Sequence, residues 1–183
     1  MRKIPFLIGL VCLFSLSAAA QEGSRVDLFG GYSFVHTSPG IAVSSFDANG
    51  GVGSVAFNLN SWASFVGEVG GIHVSHIGGA DVDANAETFL FGPKVSFFRR
   101  APLTPFVQVL AGFAHTDANF NTVTTSSFNG FAMAPGVGLD WNLSHHVGLR
   151  LGQLDYLLTR LPSSTNQVTW NNFRYSAGVV FRF

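Results

Sequence analysis

The sequence predicts an all-β protein, an eight-stranded antiparallel up-and-down transmembrane β-barrel preceded by a cleaved signal peptide. Charged residues make up 11% of the 183 residues and hydrophobic residues 47%, whereas about a quarter of an ordinary soluble domain is charged. After residue 20, apolar and other residues alternate with a period of two, which indicates strands with one apolar face. The connections between these strands alternate in length, which is typical of barrels with short turns at one membrane face and longer loops at the other.

The first element is a targeting segment, residues 1–20. Arg2 and Lys3 form a basic start, an apolar run follows over Ile4–Leu16, and alanines occupy positions 18–20, the pattern of a cleaved signal peptide. The run is shorter than the roughly 20 residues that a spanning helix needs. We therefore expect a signal peptide over 1–20 and an outer-membrane β-barrel domain over 21–183, and an uncleaved N-terminal anchor is the alternative.

The only cysteine, Cys12, lies inside this segment. A lipoprotein would need a small residue just before the cysteine, and Gly9-Leu10-Val11 matches that requirement poorly. Without residues 1–20 the chain has no thiol for a disulfide or a thiolate metal site. It also keeps only eight of its ten basic residues against ten acidic ones. We expect no cofactor and no nucleic-acid partner.

The first four predicted strands each carry apolar residues at alternate positions. These are Val26, Leu28, Tyr32 and Phe34 near Arg25–Val35; Val55, Phe57 and Leu59 near Gly51–Leu59; Ala63, Phe65 and Val69 near Trp62–Val74; and Phe89, Phe91, Val95 and Phe97 near Glu87–Phe97.

The last four strands follow the same rule. Their apolar positions are Val107, Val109, Ala111 and Phe113 near Thr104–His115; Phe131, Met133, Val137, Leu139 and Trp141 near Phe128–Trp141; Val147, Leu149 and Leu151 near His146–Tyr156; and Phe173, Tyr175, Ala177, Val179, Phe181 and Phe183 near Asn171–Phe183. Each segment has about the ten residues with which a tilted strand crosses a bilayer.

The predicted connections are long, short, long, short, long, short and long in chain order. The long ones are His36–Gly50, Ser75–Ala86, Thr116–Ser127 and Leu157–Trp170, and the short ones are Asn60–Ser61, Arg99–Leu103 and Asn142–His145. An even number of strands puts both chain ends on one side of the membrane. We expect both termini in the periplasm and four extracellular loops.

Alternation alone does not decide which face points outward, because a soluble lipocalin-like barrel also alternates with its apolar residues inward. Here the opposite face carries glycine, alanine and serine with few charges, for example Gly130, Ala132, Ala134 and Gly136. Small residues suit the lumen of a narrow barrel. Aromatic residues fall near the ends of the predicted strands, as they do in the aromatic girdles at the two membrane interfaces. We therefore expect the apolar faces to contact lipid.

The chain ends with apolar residues at alternate positions and a terminal phenylalanine: Tyr175, Ala177, Val179, Phe181 and Phe183. This ending resembles the signal that the outer-membrane barrel assembly machinery reads. Over residues 21–183 the chain resembles the OmpA-like small outer-membrane barrels, the porin-family or outer-membrane β-barrel domain proteins. The resemblance implies a monomer in the outer membrane of a Gram-negative cell, in contact with lipid and lipopolysaccharide. We expect no peptidoglycan-binding domain after the barrel, so cell-wall anchoring is not carried over from the family.

Several charged residues fall on the face predicted to line the lumen, among them Glu68, Lys94, Arg150 and Arg174. A charge on the lipid face near the midplane would cost about 2–4 kcal/mol, and eight strands leave an interior just wide enough for side chains. We hypothesise that Glu68, Lys94 and Arg150 form an ion-pair network that plugs the lumen, with a surplus of arginine. Asp140 and Arg182 are expected at the wet periplasmic rim.

Catalytic chemistry has one weak candidate, His73 with Ser75 and His76 and with Asp81 or Asp83 nearby. A hydrolase would need Ser, His and an acid placed together, but the spacing matches ordinary polar loop residues better. His145 and His146 point to opposite faces of a strand, so they do not form a joint metal site. We expect neither a catalytic nor a metal site.

The sequence therefore predicts a non-enzymatic barrel with a structural or surface-exposed role and a lumen filled by side chains. The alternative is a narrow porin-like channel for ions or small solutes. A lipid-modifying outer-membrane enzyme is the third interpretation.

Overall fold

The computed structural model describes residues 24–38, 46–77, 80–99, 101–120, 124–162 and 167–183. The predicted signal peptide and Cys12 lie outside these ranges. The described residues contain no helix long and apolar enough to cross a membrane.

Eight antiparallel strands form one closed barrel in chain order, which confirms the predicted fold class. The strands are β1 Val26–Ser38, β2 Phe46–Asn58, β3 Ala63–Ile77, β4 Ala80–Ser96, β5 Leu103–Phe120, β6 Thr124–Asn142, β7 Val147–Pro162 and β8 Gln167–Arg182. β1 pairs with β8 from Asp27↔Arg182 to Ser38↔Asn171 and closes the sheet. Closure leaves no strand edge unpaired, which is what a sheet in lipid requires.

The two ends of the barrel differ. At one end, called here the terminal end, the Arg25 amide donates to the Phe183 carbonyl at 2.6 Å. The connections from β2 to β3, β4 to β5 and β6 to β7 lie at the same end. The other end, called the loop end, carries the remaining four connections.

The outward face of the barrel is apolar. Large hydrophobic side chains are exposed on all eight strands, including Phe113 at 69% and Val137 at 53%. This arrangement confirms the prediction that the apolar faces of the strands point outward. It excludes the lipocalin-like alternative, in which such residues would fill the interior.

A ring of polar side chains ends this apolar surface at the loop end. The ring is called here the polar belt; it consists of His36, Asp47, Asn49, His73, Asn85, Glu87, His115, Asn129, Arg160 and Asn171, which are exposed or half-buried. Three of its cross-strand neighbours are hydrogen-bonded: His36 Nδ1 to Asp47 Oδ1 at 2.6 Å, His73 Nδ1 to Asn85 Oδ1 at 2.8 Å, and His115 Nδ1 to Asn129 Oδ1 at 2.7 Å. On β1 the apolar stretch below the belt covers residues 26–34, close to the 9–11 residues that cross a bilayer.

The strands are longer than predicted, and the difference lies at the loop end. β4 begins at Ala80 and β7 ends at Pro162, so the long connections predicted at 75–86, 116–127 and 157–170 are mostly strand. Beyond the polar belt the sequence has no period-two apolar pattern that would mark these residues as strand, for example over Ser75–Ala86. The backbone pairing of the hairpins continues there.

The lumen is filled by two kinds of side chain. One group is an apolar cluster contributed by β2 to β7: Ala56, Val66, Leu90, Leu110, Ala114, Ala132, Ala134 and Leu157. The other group is polar and charged, and it carries the candidate site.

Candidate functional site: the charged interior

The four predicted lumen residues all point into the barrel and are buried. Glu68 on β3 is 1% exposed, Lys94 on β4 5%, Arg150 on β7 4% and Arg174 on β8 3%. Even-numbered positions face inward on β3 to β6 and on β8, which is why alternation located these side chains. The structure distributes them between two ion-pair clusters.

The first cluster joins Arg174 to two carboxylates. Arg174 Nη2 donates to Glu68 Oε1 and, at 2.8 Å, to Asp155 Oδ2, and Arg174 Nε reaches the same Asp155 oxygen at 3.0 Å. Gln108 Nε2 donates to the other Asp155 oxygen at 3.3 Å. The guanidinium is thus shared by two acids from different strands.

The second cluster is centred on Asp140, which two cations contact. Arg150 Nε donates to Asp140 Oδ1 at 2.8 Å, and Lys94 Nζ lies 3.5 Å from Asp140 Oδ2. Asp140 is 3% exposed. The sequence predicts Asp140 at the wet periplasmic rim; the residue does lie near the terminal end, where it lines an open cavity, but its carboxylate is covered by its two cationic partners.

Gln153 connects the two clusters. Its Oε1 accepts from Arg150 Nη1 at 2.6 Å, and its Nε2 donates to Asp155 Oδ2 at 2.8 Å and to Glu68 Oε2 at 3.5 Å. Glu68, Lys94 and Arg150 thus do not contact one another directly; Asp140, Gln153, Asp155 and Arg174 lie between them. The connected set, called here the interior network, draws side chains from β3 to β8.

Charge in the interior network is balanced. Lys94, Arg150 and Arg174 face Glu68, Asp140 and Asp155, so the surplus of arginine inferred from the sequence does not exist here. Balance matters because an unpaired buried charge is strongly unfavourable.

Two aromatic rings contact the cations of the second cluster. The Lys94 ammonium lies 4.0 Å from the centre of the Phe106 ring, and the Arg150 guanidinium carbon lies 4.1 Å from the Phe29 ring and 4.5 Å from the Phe106 ring. Such contacts stabilise desolvated cations by about 2 kcal/mol. Phe29 and Phe106 thus fill the lumen and partner its charges.

The residues that sequence reasoning missed, Gln153 and Asp155, depend on a β-bulge in β7. Leu139 pairs with Gly152 and Asp140 with Arg150, so Leu151 is an extra residue. Before the bulge Gly148 and Arg150 face inward; after it Gln153, Asp155, Leu157 and Thr159 do. Unbroken alternation would make Asp155 point into lipid. Because a charge in lipid is costly, this residue was the one sign in the sequence that a bulge shifts the inward-facing positions of β7 by one residue.

Tyr175 stabilises the bulge from the outside. Its hydroxyl donates to the Leu151 carbonyl at 2.8 Å, a group that the bulge removes from the regular ladder. A Cβ on Gly152 would lie 3.0 Å from the Tyr175 ring, so glycine there lets the ring cover the bulge.

Gly136 on β6 gives the Asp155 carboxylate its space. A Cβ at this position would overlap Asp155 Oδ1. A small inward residue, which the sequence analysis interprets as lumen lining, here leaves room for a charged side chain on the neighbouring strand.

The predicted assembly-signal residues lie on the outward face of β8. Tyr175, Phe181 and Phe183 are exposed and Val179 is half-buried. His73 points outward to Asn85, whereas the side chains of Ser75, His76, Asp81 and Asp83 lie outside the described residues. Among the described side chains, no group of three His, Cys, Asp or Glu is placed to hold a metal ion.

Comparisons with known proteins agree with this architecture. The family described as outer membrane protein beta-barrel domain matches residues 6–183, and no curated protein matches the chain. Neisserial surface protein A is similar in structure, with 12% identity and a TM-score of 0.69 over 89% of this chain and 100% of that one.

Two further solved structures are similar. The attachment invasion locus protein Ail of Yersinia pestis has 14% identity and a TM-score of 0.63, covering 89% of this chain and all of its own. OprG of Pseudomonas aeruginosa has 10% identity and a TM-score of 0.58, covering 90% of this chain and 98% of its own. At such identities the likeness shows the fold.

Proposed function

The chain belongs to the outer membrane protein beta-barrel family, and we propose that it is a non-enzymatic structural or surface-exposed barrel of the Gram-negative envelope with a lumen closed by side chains. A closed lumen stabilises a narrow barrel from within and leaves its external surfaces as the parts that meet partners.

The continuity of the interior network carries this proposal. It connects side chains from six consecutive strands, and its central members are almost fully enclosed: Gln153 is 0% exposed and Asp155 is 2%. Beside it Leu90 and Leu110, both 0% exposed, belong to the apolar cluster that packs inside the barrel. Solutes would have to displace paired charges and packed apolar side chains together.

Flux through reconstituted liposomes tests the proposal. The barrel, refolded into vesicles loaded with a potassium-sensitive dye, should leave ion leakage at the level of protein-free vesicles, and osmotic swelling in small sugars should be equally slow. Faster flux with correctly folded protein would reject the closed lumen.

A narrow channel is the second candidate, and the polar side of the lumen favours it. Ser33, Ser176 and Asn172, on β1 and β8, each have a buried side-chain oxygen without a hydrogen-bond partner. They lie within two residues of Arg174 along the β1–β8 pairing, where a thin water path would run. Ion flux without sugar flux would support this candidate.

The proposal includes an orientation. The terminal end faces the periplasm and the four connections of the loop end are extracellular, so the polar belt lies among lipopolysaccharide headgroups. The outward residues Tyr175, Val179, Phe181 and Phe183 serve as the assembly signal for the barrel assembly machinery, and the protein is a monomer. The continuous apolar band that ends at the polar belt supports this orientation, because headgroup contact needs polar side chains there.

A further inference from the structure

The terminal end of the barrel contains a wide, open cavity, called here the vestibule. Its volume is about 1630 Å³, larger than the roughly 300–1,000 Å³ of ordinary small-ligand pockets. Lys94 and Asp140 of the interior network form part of its lining. The vestibule is thus a water-accessible chamber that ends at the interior network.

Basic side chains outnumber acidic ones in this chamber. The basic lining residues are Arg25, Lys94, Arg99 and Arg182, and the acidic ones are Asp27 and Asp140. Both carboxylates are already occupied. Arg99 Nη2 contacts Asp27 Oδ2 at 2.8 Å, while Arg150 and Lys94 share Asp140.

Arg182 takes no part in this pairing. It projects inward from β8 beside Asp27, its register partner on β1, and its guanidinium lies against Gly148, where a Cβ would be 2.9 Å from Nη1. No carboxylate of the described residues lies within ion-pair distance of Arg182. Its positive charge therefore faces the vestibule.

A concave site with excess positive charge and low-dielectric walls concentrates anions. A guanidinium presents its donors in a fork that matches phosphate and carboxylate oxygens. We propose that the vestibule binds a small anion bearing phosphate or carboxylate groups, with Arg182 as its principal partner. This activity goes beyond the structural role and does not require an open lumen.

Isothermal titration calorimetry of the mature chain in lipid nanodiscs tests the proposal, with tripolyphosphate and citrate as separate probes at pH 7 and low salt. At least one probe should bind saturably, and the probe that binds identifies phosphate or carboxylate as the ligand group. Arg182→Gln should weaken binding at least tenfold, and Arg182→Lys should restore part of the loss. Arg160→Gln, which removes an equal charge from the outward surface at the loop end, should bind like the wild type.

Saturable binding of neither probe would overturn the proposal, as would equal losses in the Arg182 and Arg160 variants. Heat-dependent gel mobility reports whether each variant is folded. If Arg182→Gln fails to fold, amide chemical shifts of the wild type decide: titration should move the signals of Gly148 and Arg182, and unmoved signals would contradict the site.

Discussion

At the scale of single residues, Gln153 and Arg174 connect the interior network on which the proposed closure of the lumen depends. Arg174 is shared by Glu68 and Asp155, and Gln153 joins that cluster to Arg150 with one acceptor and one donor group. Each polar atom engaged in this way avoids the cost of an unsatisfied buried group. A buried ion pair alone is weak evidence of stability, but removal of one member leaves the other charge uncompensated.

Glu68→Ala should therefore lower the stability of the barrel clearly, by about 3–5 kcal/mol, because Arg174 would keep only Asp155 as a partner. Urea unfolding in lipid vesicles, followed by tryptophan fluorescence, measures the change. Glu87→Ala, at an exposed outward position of the polar belt, is the matched control and should change little. Equal stability of the Glu68 variant and the wild type would contradict the claim that the interior network stabilises the barrel.

Tyr175→Phe removes the hydroxyl that caps the Leu151 carbonyl at the bulge. We expect a loss of about 0.5–1.5 kcal/mol, the usual net value of one hydrogen bond, in the same unfolding experiment. Tyr156→Phe is the control, because the described contact of Tyr156 is ring packing against Phe173. A Tyr175 variant as stable as its control would show that the bulge does not depend on this bond.

At the scale of elements, the limits of sequence reasoning are clearest in β7. Period-two alternation located all eight strands and the inward direction of Glu68, Lys94, Arg150 and Arg174, because lipid on one face and a narrow lumen on the other enforce it. The bulge at Leu151 shifts the phase by one residue, and alternation carried past it puts Asp155 on the wrong face. The sequence does not predict the strand ends beyond the polar belt, because the residues there have no period-two apolar pattern.

The apolar band makes a depth-dependent prediction on β6. Val137→Arg, between Phe131 and Trp141 on the outward face, should destabilise the barrel by about 2–4 kcal/mol, whereas Asn129→Arg in the polar belt should cost no more than about 1 kcal/mol. Unfolding in vesicles compares the two variants. Equal costs would show that the boundary of the lipid is not at the belt.

At the scale of the whole molecule, the even number of strands determines where the two chain ends lie. Eight strands return the chain to its starting end, where Arg25 and Phe183 meet, and the lumen is narrow enough for side chains from six strands to meet in one network. The apolar outer surface, ended by the polar belt, fixes the part of the barrel that lipid surrounds.

Cysteine labelling of intact cells tests the proposed orientation, because Cys12 is the only native cysteine and lies in the predicted signal peptide. Thr122→Cys, which lies between β5 and β6 in the sequence, should react with a membrane-impermeant maleimide. Ser61→Cys, in the short turn between β2 and β3, should react only after the outer membrane is opened. The reverse pattern of labelling would show that the barrel has the opposite orientation in the membrane.

Single-channel recording in planar bilayers tests the central claim, the closed lumen, most directly. The recording uses purified, folded wild-type barrel in about 1 M KCl, a salt concentration that resolves small conductances and screens surface charge. The wild type should give no current steps above the leak of the bare bilayer. Arg160→Gln, altered on the outer surface, should be equally silent. Reproducible steps from folded wild-type protein would contradict the account and establish the narrow channel in its place.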